Sequence, residues 1–271
     1  MSTRHIGHHH RHLVSYPASL RQSFYTLIIM PVVALMLTVF FVRTFTQLPA
    51  IEHELSWAYL ILALLATFAR LLVAYVCALI ISLPLALLVT WSSRAEKIFL
   101  PLFDIMQSVP VLAFFPVVIV FFVHYGFYSG AAIFILFVTM LWSIVFSLVG
   151  GLRVIPEDIK AVGHIFGVRG VSFIEKILLP SVFPYLVTGS LLAFAGGWNI
   201  IIVAEVLHTY LPGADESSDL FGIGSVLVHA SAGAQTSVFL YAMLVLIVAI
   251  AFLNFFIWQK LLTYAERFKF E

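Results

Sequence analysis

Few residues in this chain are of types that do chemistry. Arg70 and Glu205 are charges that border long apolar runs with no neighbouring charge to dilute them. Glu205 lies roughly 36 Å of helix beyond Ser181 at 1.5 Å per residue, which sets it near the same outer level as Arg70. Each either snorkels to the interface on its own, or the two pair across an outer mouth, where partial exclusion of water strengthens an ion pair. The opening HIGHHHRH supplies imidazoles that can bind a metal, but without Cys, Asp or Glu partners it reads as a solvated tail, and no metal site is assigned. There is no Gly-x-x-x-x-Gly-Lys-Ser/Thr loop for phosphates, and no span carries His-x-x-His, Gly-x-Ser-x-Gly or paired carboxylates. No catalytic residue is named, and the chain reads as a non-enzyme.

The elements that would position these residues are apolar helices. Of 271 residues 62% are hydrophobic and 10% charged, the mean hydropathy is +1.09, and uncharged stretches near the length that crosses about 30 Å of hydrocarbon recur. Lipid forces each span to satisfy its backbone internally, so the expectation is an all-α membrane protein, a six-span helical bundle in a lipid bilayer. The spans read as 22–42, 70–91, 105–123, 131–150, 181–205 and 238–258, with 56–69 a short interfacial or tilted lead-in to the second. HYGFYSG at 124–130 is the turn between the third and fourth, and Pro84, Pro110 and Pro116 imply kinks. A net charge of +1 leaves no footprint for nucleic acid, and Cys77, the one cysteine, excludes an intrachain disulfide. The domain reading is a His-rich tail at 1–21, a first span and outer loop at 22–56, a core at 57–258 with a charged loop at 153–180, and a tail at 259–271.

Twelve of the fourteen Lys and Arg fall on one side of this layout, at 4, 11, 21, 94, 97, 153, 160, 169, 176, 260, 267 and 269, with Arg43 and Arg70 at span edges on the other, which makes the first side cytoplasmic and both termini with it. Within 153–180, Pro156, Glu157 and Asp158 open one short helix, with Ile159, Val162 and Phe166 on one face. Gly167 and Gly170 break the run, and a second short helix ends at Pro180. Such a projection either docks into another protein or lies on lipid headgroups, and periodicity does not choose between them. For a pathway through the bundle the lining falls to GGWN at 196–199, with Trp198 and Asn199 joining Arg70 and Glu205. Its glycines serve helix packing equally well, and Thr139, Ser143 and Ser190 are polar enough to contribute.

Gly167, nine residues and then Ile177, Leu178, Leu179, Pro180 resemble the cytoplasmic coupling loop of ATP-binding-cassette importer permeases, the inner-membrane subunits of binding-protein-dependent transport. In that family the loop reads Glu-Ala-Ala, three residues, Gly, nine residues, Ile-x-Leu-Pro. The stretches 67–122, 151–167 and 196–207 are most similar to the nitrate, sulfonate and taurine branch. The resemblance implies the type I permease fold, with Glu157, Asp158, Ala161, Gly163, Gly167, Arg169, Ile177, Leu179 and Pro180 coupling to an ATPase. It implies as partners an ATP-binding subunit that holds ATP and Mg, a second permease copy and an external solute-binding protein, with no cofactor in this chain. The solute it implies is a small anion: nitrate, a sulfonate, taurine or bicarbonate. One departure stands out. Ala161 replaces the motif's glutamate, with Glu157 and Asp158 one turn earlier as stand-ins. The rival from another class is an ion-coupled carrier, which needs buried ionisable groups at mid-depth, and none of the six spans has one.

The charge distribution makes a topological prediction. In a Cys77-free background, His53→Cys and Ser217→Cys should react with an impermeant thiol reagent added outside, and Ser93→Cys should not. The reverse labelling pattern would overturn the orientation.

Overall fold

A computed structural model describes residues 56–90, 92–168, 170–211 and 213–268. The His-rich tail, the 22–42 span, the loop after it and Arg169 lie outside the described residues. Everything regular among the described residues is helical: α1 (Trp57–Thr90), α2 (Ser93–Ser108), α3 (Val111–His124), α4 (Tyr128–Val154), α5 (Glu157–Ile165), α6 (Leu179–Glu205), α7 (Ile223–Ala232), α8 (Thr236–Leu253) and α9 (Gln259–Ala265), with short turns between. Among the described residues four continuous helical stretches are long and apolar enough to cross a membrane, Trp57–Thr90, Tyr128–Val154, Ile174–Glu205 and Thr236–Phe268, and a bent pair makes a fifth if counted as one.

Two expected spans differ from the observed helices. Residues 57–69 are the first turns of the same 34-residue helix that carries Arg70, so the lead-in is continuous with the span. The 105–123 span is broken: α2 and α3 meet at 81°. The cause lies at Val109–Pro110. A residue before proline avoids helical backbone, and Val109 is extended at ψ 126, ending α2. Pro84 and Pro116, expected as kinks, sit inside continuous helices. The 124–130 turn is where it was expected, with Gly126 taking a positive φ of 69 between α3 and α4.

The core is α1, α4 and α6 packed side by side. The buried stripe of α1 runs Leu60, Ala63, Thr67, Leu71, Ala74, Ala78, Ser82, Ala86 and Val89, and most of these side chains are small. In lipid, where burial of apolar surface gains little, small side chains let backbones approach and dispersion and hydrogen bonds accumulate. Tyr75 and Ser190 share a 2.8 Å hydrogen bond between α1 and α6. Gly197 of α6 faces Met140 of α4 and Leu71 of α1, and at Gly189 an added Cβ would stand 2.7 Å from the Ser147 Cβ. At the far end Glu96 of α2 pairs with Arg153, next to the end of α4. The C-terminal stretch Thr236–Phe268 is peripheral, with 6% of its most apolar window buried.

These contacts predict a contrast. Gly189→Val should destabilise the detergent-solubilised protein by about 1–3 kcal/mol through overpacking. Gly150→Ala, whose new Cβ meets nothing within 4 Å, should be neutral or stabilising by up to about 1 kcal/mol in the same melting experiment.

Candidate functional site

Glu205 ends α6 with its side chain fully buried, and Arg70 reaches it from α1. Arg70 Nη1 donates to Glu205 Oε1 at 2.6 Å, and the Thr67 hydroxyl, one turn earlier on α1, donates to the same oxygen at 2.7 Å. The second oxygen, Oε2, accepts the backbone N–H of Gly224 at 2.8 Å. That amide belongs to the first turn of α7, where helix N–H groups lack intrahelical partners and a negative charge is stabilised by the dipole. Thr67 Oγ1 in turn accepts the Ile223 N–H at 2.9 Å, and Arg70 Nη2 donates to the Phe221 carbonyl at 2.8 Å. Of the two arrangements open to this pair, the structure therefore adopts the paired one, within a node that joins α1, α6 and α7.

Glycines make room for it. A Cβ at Gly222 would collide with both Glu205 carboxylate oxygens, and one at Gly224 would sit 2.8 Å from Oε2 and 2.9 Å from the Ile201 carbonyl. The chain between α6 and α7 folds back onto the same point: the Leu220 N–H donates to the Glu205 carbonyl at 3.0 Å, and Ser225 Oγ donates to the Leu220 carbonyl at 2.6 Å. Thr67, Gly222, Gly224 and Ser225 were not singled out in the sequence. The available signal was a threonine three residues before the arginine, on the same helix face.

A second polar cluster lies beside the node. Asp219 Oδ1 accepts the N–H groups of Leu207 and His208 at 2.7 and 2.9 Å, and Oδ2 meets His208 Nδ1 at 2.8 Å and His229 Nε2 at 2.7 Å. Burial alone would raise the Asp219 carboxyl, but the hydrogen bonds from the His208 backbone, both rings and Leu207 outweigh it and hold the group below the usual carboxylate range. No sequence motif announces this cluster, because its three members are drawn from a turn, a loop and a helix.

The other residues expected to line a pathway diverge. Trp198 helps line an apolar cavity of 530 Å³ bounded by α1 and α8 residues such as Phe68 and Val248. Asn199 is exposed and donates to the Ala195 carbonyl of its own helix at 2.9 Å. Thr139 and Ser190 likewise donate to their own helices, to the carbonyls of Ile135 and Leu186. Gly196 and Gly197 sit at helix contacts.

At the opposite end of α6, α5 begins at Glu157 as expected and exposes Glu157, Asp158 and Ala161, while Gly163 contributes only backbone to its last turns. Ile159 packs against the core, whereas Ile165 and Phe166 are 79% and 78% exposed, so the expected single apolar face is split. Gly167 and Gly170 both take positive φ, 69 and 60. The second short helix is not separate. A single turn at Val171–Phe173 runs through a π segment, Ile174–Leu178, straight into α6. Leu179 bonds back to the Ile174 carbonyl, and this wider turn seats Ile177, Leu179 and Pro180 half-buried. Pro180 thus does not end the helix. It lacks an N–H and its ring would crowd the Lys176 carbonyl in a tight turn, and the π geometry relieves both.

Residues 78–263 match the model of the family described as binding-protein-dependent transport system inner membrane component. The chain is 31% identical over 142 residues to the nitrate import permease protein NrtB of Leptolyngbya laminosa, covering 52% of this chain and 50% of that protein. It is 29% identical over 149 residues to the bicarbonate transport system permease protein CmpB of Synechococcus elongatus, covering 55% and 52%. The matches thus span about half the length of these relatives. In fold it is similar to a chain of an inward-facing form of the MetNI methionine ABC transporter, with a TM-score of 0.64 at 18% identity over 79% of this chain and 99% of that one.

The node is asymmetric in its donors, which sets the expected response to mutation. Glu205→Ala strands Arg70, whose side chain is 13% exposed, and should cost about 3–5 kcal/mol in thermal or denaturant unfolding in detergent. The exchange Arg70→Glu with Glu205→Arg should not restore stability, because an arginine at 205 would face the Gly224 N–H and the dipole of α7. Recovery by the double exchange would show that charge pairing alone holds the node.

Proposed function

The chain belongs to the family of binding-protein-dependent transport system inner membrane components, and on that premise we propose that it forms the membrane pathway of an ATP-driven importer for a small inorganic anion. The similarity to permeases named for nitrate and for bicarbonate supports this choice of solute. An external binding protein delivers the anion, a second permease copy completes the pathway, and separate subunits bind ATP and Mg. Both termini and the 153–180 loop face the cytoplasm. Nothing in the comparisons favours the ion-coupled carrier, and both oxygens of the Glu205 carboxylate already accept hydrogen bonds within the protein, from Arg70, Thr67 and Gly224.

The observation that carries the proposal is the tip of the 155–170 loop. Ile165 and Phe166 stand almost fully exposed between α5 and the helix that leads into α6, next to two glycines in left-handed backbone. An apolar tip of this kind, fixed to the end of a core span, is a knob for a partner's cleft. Movement of that partner reaches the bundle along α6, because the chain after Gly170 runs from Val171 through the π segment into that span as continuous helix. Glu157, Asp158 and Ala161 flank the knob on the exposed face of α5, and Arg169 follows it in the chain. Asn199, exposed on α6, and Trp198 lie along the surface that the second copy would enclose, with Arg70 and Glu205 holding one end of it.

Isolated from its own membrane with its associated subunits and reconstituted into liposomes, the chain should support uptake of labelled nitrate or bicarbonate that requires ATP hydrolysis and the binding protein. Uptake driven by an ion gradient without ATP would overturn the reading. Gly167 refines the test, since open space surrounds it and the demand for glycine comes from its φ of 69. Gly167→Asn, which tolerates that backbone, should keep the ATPase associated. Gly167→Val, straining the turn by about 1–3 kcal/mol, should weaken the association roughly tenfold in co-purification.

A further inference from the structure

We infer that His208, Asp219 and His229 form a binding site for a divalent transition-metal ion of the zinc class. The site lies where α6 hands over to α7, and the donor set that defines it is the same whichever solute the chain carries. Three ligand atoms, His208 Nδ1, Asp219 Oδ2 and His229 Nε2, lie within 4.8 Å of one another. They come from the turn His208–Tyr210, the loop before Leu220 and the last turn of α7. The two rings are neither stacked nor coplanar: their centroids are 6.3 Å apart with the planes at 47°, and each aims a nitrogen at the same carboxylate oxygen.

Two imidazoles and one carboxylate are a donor set that suits zinc better than magnesium or calcium, which prefer oxygen alone. In a tetrahedral site with bonds near 2.1 Å, ligand atoms stand about 3.4 Å apart. The nitrogens now sit 2.8 and 2.7 Å from Oδ2, so a shift of about half an ångström opens the site. Asp219 is already oriented for the task. Its Oδ1 is held by the N–H groups of Leu207 and His208, which leaves Oδ2 as a single-point ligand, the outer-shell support that metal carboxylates require. Without metal, each ring must place its N–H toward Oδ2. Binding replaces both protons by one cation and leaves a fourth position for water. The Asp219 side chain is 2% exposed while the rings are 28% and 33% exposed, so the anchor is buried and the approach is open. A cation here ties the start of the 206–229 segment to its end, and that segment supplies the Leu220 and Gly224 amides to Glu205.

The histidines at 5, 8, 9, 10 and 12 would compete for metal, so the test uses full-length protein, with no histidine tag, in which those five are serine. After equilibration with zinc chloride and removal of loose metal by dialysis, elemental analysis should find one zinc per chain. His208→Ala, His229→Gln and Asp219→Asn should each weaken retention by at least tenfold, on the order expected even for lost outer-shell partners. Cobalt(II) in place of zinc should give the intense visible absorption of a four-coordinate ion. A chain that retains no zinc, or variants that retain it undiminished, would overturn the site. Should the variants misfold, X-ray absorption on the five-serine protein decides instead: two imidazoles in the zinc shell uphold the site, and a shell without imidazole refutes it.

Discussion

A carboxylate withdrawn from water needs its oxygens answered by donors, and the way Glu205 is answered sets the architecture of this end of the bundle. Its three partners come from two other helices: a guanidinium and a hydroxyl from α1, and a backbone amide from the first turn of α7. None of the three supplies enough alone, since an unpaired buried charge costs several kcal/mol. The return of the chain after α6 is therefore constrained to bring Gly222 and Gly224 against the carboxylate, and only glycine leaves room there. Coulomb attraction from Arg70 and hydrogen bonds from α1 and α7 converge on this one carboxylate, which makes the node a joint between α1, α6 and α7.

Below that joint, α1, α4 and α6 behave as one body because their contact surfaces are small residues in close approach. The loop that carries Ile165 and Phe166 rejoins this body after the left-handed Gly167 and Gly170, where Val171–Phe173 and the π segment lead into α6. The elements outside the body are of a different kind. The α2–α3 pair is bent, and Thr236–Phe268 buries little of itself.

Much of this was legible in the sequence, for identifiable reasons. Hydropathy marked the helices because lipid leaves the backbone no alternative, and the start of α5 was written in Pro156, Glu157 and Asp158. Arg70 and Glu205 stood out because a lone charge beside an apolar run needs an answer. What could not be read was the fold-back of the chain after α6. Gly222, Gly224, Asp219 and His229 gain their meaning from a fold-back whose geometry no periodicity encodes. Two of the boundaries that differ from the sequence reading turn on proline, which is a weak guide to helix ends. Pro110 stops a helix where Val109 turns extended, while Pro180 is absorbed by a widened turn.

The break at Pro110 leaves α3 only 14 residues long, about 21 Å, against a hydrocarbon layer of about 30 Å. Its apolar flank, Phe114, Val117 and Phe121 among it, is exposed. Lipid beside a stub of this length must compress its acyl chains to meet it, and the elastic cost grows with every ångström of mismatch. A neighbouring protein surface set against α3 removes that strained annulus. The membrane thus exerts a sideways force that favours assembly along this edge, and thinner bilayers weaken it.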